Sequence, residues 1–164
     1  MKEIILNYTH YNLWANRLIS EVLLRVPDEQ ARQEMGGSFS SLQKTAEHVW
    51  VAECIWLQRL HMVEQVMVPS QASHGDMGDL CKQWLQCSEG LDNFATDIRD
   101  DRGLEHTFHY YNMAGEHQKS TVWECLHHVC NHSTFHRGQM VTLLRQLGIS
   151  KIPSTDLITY YRKR

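Results

Sequence analysis

Residues 127–139 read HHVCNHSTFHRGQ, in which His128, His132 and His136 recur every fourth residue and His127 sits just outside that rhythm. On a helix, a four-residue step turns roughly 40° past one full turn. His132 and His136 therefore share a face, with Cβ atoms about 5–6 Å apart. At that spacing two imidazoles can bind one metal ion, and His128 continues the row. Cys125, Val129, Met140, Leu143 and Leu147 fall on the same side, so the row belongs to a core-facing stripe. A partly buried imidazole needs partners for its ring nitrogens. A metal is one such partner; a carboxylate or a backbone carbonyl is another, and packing without metal is the competing reading.

Familiar metal motifs do not match. A zinc protease needs HExxH, with the glutamate as general base, whereas Ser133 follows His132. Di-iron bundles use two Glu-x-x-His pairs plus two further glutamates; Glu124 and His127 make one pair, and no second is found. Cys125 lies about 10 Å along the axis from His132, and Cys130 points nearly the opposite way, so neither cysteine suits the site. A third ligand has to come from another helix. His48, among apolar neighbours, is the best candidate, with His10 and His61 weaker. His74, His106, His109 and His117 fall in loops or a hairpin and read as surface residues.

The elements that must position these residues are helical nearly throughout. A first helix spans roughly 2–25 and stops before Pro27. A loop with Gly36-Gly37 covers about 26–39. Ser40 with Gln43 three residues later reads as a capping box opening a second helix, with Leu42, Ala46, Val49, Trp50, Trp56, Leu57 and Leu60 at helical spacing. A third helix covers roughly 77–98, weakened by Gly90. Thr107–Tyr111 is rich in β-formers and Asn112–Gly115 reads as a turn, which suggests a short β-hairpin. Thr121 and Glu124 form a second capping box, opening a helix that runs to Leu147 and stops at Gly148. A tail follows Pro153. Four helices of about twenty residues imply an all-α four-helix bundle, with residues 1–164 as one domain.

Composition sets limits on partners. The 164 residues carry a net charge of −3, and no basic face invites nucleic acid; the terminal Arg162, Lys163, Arg164 is too short a run. No stretch approaches the roughly 18 apolar residues of a membrane span, and MKEIILNYTHYNLW turns polar too early for a signal peptide. The five cysteines form no CxxC pair and no disulfide-like frame. These features point to a reduced, cytoplasmic protein.

The chain resembles the DinB family of DinB/YfiT-like metalloenzymes. The matching pieces are YNLWANRLI (11–19), SFSSLQKTAEHVW (38–50), AECIWLQRL (52–60), NHSTFHRGQMVTLLRQLG (131–148) and PSTDLITYY (153–161), in the family's order over nearly the whole chain. The resemblance implies a four-helix bundle in up-down-down-up order. It implies a divalent metal held by three histidines, which fall on His48, His132 and His136. It leaves His128 outside the triad, as a supporting or packing residue, and it implies a homodimer.

Three neutral imidazoles leave a divalent ion with its full charge and at least one open position, which structural zinc sites with four protein ligands lack. Such an ion can lower the pKa of bound water or a thiol. Zinc or nickel fits best, with iron, manganese and cobalt compatible. Glu53 and Asp156 are candidate acceptors for the ligands' remaining N–H groups. Arg137 has no assigned role, Gly138 suggests close helix packing, and Gln139 either reaches the site or fills a core gap. The function classes are a metal-dependent transferase or hydrolase, with a low-molecular-weight thiol as possible co-substrate in the wider superfamily, or a non-catalytic metal-binding stress-response dimer.

Overall fold

The computed structural model describes residues 1–70 and 75–163; His74 and Arg164 lie outside the described residues. Four long helices dominate: α1 (Lys2–Leu23), α3 (Leu42–Leu60), α4 (Met77–Asp97) and α6 (Val122–Gln146). Helix α1 packs on α4 and α6, and α3 packs on the same two, so the four close a ring. Three short helices, α2 (Asp28–Arg32), α5 (Asp101–Glu105) and α7 (Leu157–Lys163), and two strands, β1 (Thr107–Tyr111) and β2 (His117–Thr121), complete the described elements.

The mostly helical reading and the hairpin both hold. Strands β1 and β2 pair antiparallel, from Thr107 opposite Thr121 to Tyr111 opposite His117. The turn between them closes on Asn112, whose Oδ1 accepts from the backbone N–H groups of Ala114 and Glu116. The Thr121–Glu124 capping box is present with both of its arms, and Gly148 takes φ +81° just beyond α6, a conformation glycine adopts without steric penalty.

The structure differs from the sequence reading in four local places. Helix α2 occupies part of the expected 26–39 loop; Pro27 precedes it, Asp28 and Glu29 complement its N-terminus, and Ala31 is buried. The cap of α3 is Ser41 rather than Ser40: its Oγ accepts from Lys44 N–H at 3.2 Å. Gln43 does not reach back, because its side chain is held between Arg32 and Glu47. The segment after Pro153 ends in α7, anchored where Tyr160 packs on Tyr11 and Trp14. Close helix packing occurs at Gly90, not Gly138. A Cβ on Gly90 would lie 2.5 Å from Leu57 Cδ2 across the α3–α4 contact, whereas one on Gly138 would meet nothing within 4 Å.

The cysteine reading, and the reduced state inferred from it, need a larger correction. Cys54 on α3 and Cys87 on α4 form a disulfide, 33 residues apart in sequence. Cys81, Cys125 and Cys130 are free and buried. The pair carries no short-range spacing motif because it is made by two packed helices, so inspection of spacings could not find it. Among the described residues no helix is long and apolar enough to cross a membrane.

The core divides into two apolar clusters. One gathers Ile19, Leu23, Val49, Trp84, Met140 and Leu144; the other gathers Ile5, Leu60, Leu91, Leu126 and Val129. The first halves of α1 and α6 thus share a cluster with the second halves of α3 and α4. Every long helix carries buried polar residues near where the two clusters meet: Asn12 and Asn16, Glu53, Ser88, then Ser133 and Arg137. The histidine row of α6 runs alongside this polar girdle.

Candidate metal centre

Helix α3 supplies His48 and α6 supplies His132 and His136; one ligand-capable atom from each lies within 4.8 Å of the others. The α3–α6 contact sets His48 opposite the turn that joins the two α6 histidines. The Nε2 atoms of His48 and His132 are 2.9 Å apart. Without metal, that distance is one N–H···N hydrogen bond. Two imidazoles binding one tetrahedral zinc at about 2.0–2.1 Å would hold their nitrogens roughly 3.3 Å apart. The two arrangements therefore differ by a few tenths of an ångström, and the donor set fits a divalent ion.

His136 is 6% exposed, and its Nδ1 lies 2.7 Å from Gln139 Oε1. An amide oxygen only accepts, so Nδ1 carries the proton and donates it, leaving the Nε2 lone pair free for the site. This is the usual arrangement for a ligand histidine. His132 differs: its Nδ1 is buried with no partner among the described residues. Burial and then the neighbouring rings of His136, His48 and His128 push the His132 pKa down to about 4. Burial, followed by His136, also lowers that of His48. Both rings are therefore neutral at pH 7, as metal ligation requires.

Phe39 covers two rings of the triad. Its ring stacks on His48 at 4.1 Å between centroids and meets His136 edge-on at 5.6 Å. The loop that carries it folds back through Gly36 and Gly37, at φ +78° and +98°, and closes with a Met35 N–H to Ser40 C=O bond of 2.8 Å. A cavity of about 210 Å³ opens beside the site between this loop, Gln139 and Thr142.

A model of the DinB family matches residues 1–163. The chain belongs to the DinB family. It is similar to Protein DinB of Bacillus subtilis (strain 168), with 29% identity over 94% of this chain and 92% of that one. Two solved DinB-like structures share the fold. One, from Bacillus cereus ATCC 10987, has a TM-score of 0.71 at 19% identity, covering 93% of this chain and 95% of its own. The other, from Bacillus subtilis, has a TM-score of 0.68 at 12% identity, covering 91% and 96%.

The remaining DinB-site candidates sort clearly. His128 stands outside the triad, exposed, with its ring 5.1 Å from Trp56 and 6.0 Å from His132. His10 pairs with Asp92 at 2.6 Å, and His61 packs on the edge of Phe94; neither approaches the triad. Glu53 and Asp156 are not acceptors for ligand histidines. Glu53 is fully buried and accepts from Asn12, Asn16, Ser88 and Ser133. Exposed Asp156 accepts from Ser154. Gln139 takes the role proposed for them, because three residues beyond His136 on one helix is within reach. Arg137 is 1% exposed and donates to Asn12, Asn16 and Thr134. Phe39 escaped the sequence reading because nothing in its spacing marks a loop residue that folds over a helix pair; the adjacent Gly36-Gly37 was the available signal.

Proposed function

We propose that this DinB-family protein binds one divalent metal ion at His48, His132 and His136 and uses it as a metal-dependent transferase or hydrolase, with a low-molecular-weight thiol as a co-substrate. The single observation that carries the reading is the convergence of three histidine nitrogens from two helices. An ion held by these residues, zinc or nickel first and iron or manganese next, would supply Lewis acidity and a lowered pKa to water or a thiol in its open position.

The chain's own residues do the rest. Gln139 fixes the tautomer of His136. Phe39 screens the rings of His48 and His136 from bulk water on one side, which strengthens electrostatic interactions at the site. The loop bearing Phe39 and the cavity beside it are where a small substrate would enter. We place the protein in the cytoplasm as a homodimer.

Metal analysis by mass spectrometry on untagged protein tests the site. Near one equivalent in wild type and none in His132→Ala supports it; a wild type that stays metal-free after incubation with zinc, nickel, iron and manganese ends it. Turnover is tested separately, with a panel of electrophiles with and without added thiol. A loaded protein with no thiol-dependent or hydrolytic turnover would instead favour the second reading, a non-catalytic metal-binding dimer of the stress response.

A further inference from the structure

At the far end of the α3–α6 groove, Arg59 is 7% exposed. Its guanidinium lies against an edge-to-face ring pair, with the central carbon 5.0 Å from the centroids of both Trp56 and Tyr110. Nη2 donates to the Tyr111 carbonyl at 2.9 Å. Nε has no hydrogen-bond partner, and among the described residues no carboxylate comes within 4.0 Å of the group. A buried charge normally has a counter-charge. The second buried arginine of this chain, Arg137, faces a buried carboxylate through two asparagines. Arg59 has nothing equivalent. Aromatic faces attract the cation, yet they cannot accept the planar, paired N–H bonds that guanidinium offers to oxyanions.

Arg59 also forms part of the wall of a cavity of about 800 Å³ between the end of α3 and the β1–β2 hairpin. His106, His109 and His117 line the same space, and among the described residues Glu64 is its one carboxylate. The rings of His109 and His117 stack across the two strands with centroids 5.0 Å apart. Glu64 is exposed, so its charge is largely solvated.

We propose that this cavity binds the anionic group of a small molecule, a carboxylate or a phosphate, through the Arg59 guanidinium, with the His109 and His117 imidazoles lining another part of the same space. The cavity's size falls in the range of small-molecule sites, and the ring pair and the Tyr111 carbonyl hold the guanidinium in place before any ligand arrives. The site is separate from the histidine triad: Arg59 lies eleven positions beyond His48 on α3, roughly 16 Å along the axis. The inference therefore stands whether or not the triad holds metal.

Calorimetric titration with inorganic phosphate, and separately with malonate, on wild type, Arg59→Gln and the double variant His109→Asn/His117→Asn tests it. Saturable binding of either anion at one site, weakened at least tenfold in Arg59→Gln and several-fold in the double variant, is the expected result. Preference for phosphate would identify a phosphate-bearing ligand; preference for malonate, a carboxylate-bearing one. No saturable binding of either anion, or binding that Arg59→Gln leaves unchanged, overturns the proposal. If Arg59→Gln fails to fold, the exposed histidine variant decides: unchanged affinity there overturns it as well.

Discussion

Glu53 and Arg137 face each other through two asparagines rather than as an ion pair. Asn12 and Asn16 each give an amide N–H to Glu53 Oε1 at 2.9 Å and each accept from Arg137 Nη1 at 2.6 Å. Ser133, next to His132, also donates to Glu53, and Arg137 is next to His136. The buried network therefore grips α6 beside both of its triad histidines and ties it to α1 and α3. Removing one charged member leaves the other buried without its compensation, so Glu53→Gln or Arg137→Met is expected to destabilise by about 3–5 kcal/mol. The double variant should lose less than the sum of the two, because the groups share partners. Guanidinium unfolding midpoints measure all three; additive losses would show that the network is not coupled.

Much of this was legible in the sequence where the signal is local. Helix α6 announced both its ends, with a capping box at Thr121 and a left-handed glycine at Gly148, and the four-residue rhythm put His132 and His136 on one face. The third histidine of the cluster was harder, since a lone His48 on a mostly apolar helix carries no partner information; the resemblance to a family pointed to it. What stayed hidden is what tertiary packing creates. The Cys54–Cys87 bond joins two helices 33 residues apart. Phe39 reaches His48 only because a double glycine turns the chain back. Gly138 looked like a contact and Gly90 like a defect, and the packing reverses them.

The Gln139 amide oxygen holds the proton-bearing nitrogen of His136. Gln139→Leu removes that acceptor while keeping bulk and helix propensity. Metal affinity should fall about 10–100-fold with stoichiometry unchanged at saturation, the range for losing such a supporting partner. His128→Ala should leave affinity within a few-fold of wild type, since its ring is not among the converging nitrogens. Competition with a chromophoric chelator reads both. Equal losses in the two variants would contradict the assignment.

The two glycines predict opposite responses to one added methyl. Gly138→Ala adds a Cβ into open space and removes the helical penalty of glycine, so it should stabilise by up to about 1 kcal/mol. Gly90→Ala sets its Cβ 2.5 Å from Leu57 Cδ2. Leu57 must turn aside, and overpacking of this kind costs typically 1–3 kcal/mol, which cancels or exceeds the propensity gain. Thermal melts of the two variants decide it; a Gly90→Ala protein as stabilised as Gly138→Ala would mean that α3 and α4 are not this close.

Of the five cysteines, two are joined and three are free. Burial pushes the thiols of Cys81 and Cys125 up to about 11 and that of Cys130 higher still, so none is a thiolate at neutral pH. Protein kept from reductant should therefore react with no thiol reagent when native, at three sites when unfolded, and at five after reduction and unfolding. Closing a loop of this length is worth about 3–4 kcal/mol, so reduction should lower the unfolding free energy by up to that amount. Five reactive thiols without any reductant would show that the pair is open in the isolated protein.

Acid should destabilise the metal-free protein through His132. Its folded pKa is about 4, against about 6.5 for an unfolded chain. Between those values the unfolded state holds a proton that the folded state refuses, so stability falls as pH falls. The contribution is whole above about 6.5 and is lost progressively down to about 4, where the folded ring also protonates. His48, shifted in the same direction, adds to the trend. Urea midpoints for chelator-treated wild type and His132→Asn, measured near pH 7.5 and near pH 5, test this. The variant should lose less of its midpoint on acidification than wild type does, because asparagine does not titrate. Equal losses would place the acid sensitivity in other groups and leave the His132 ring as solvated as an ordinary surface histidine.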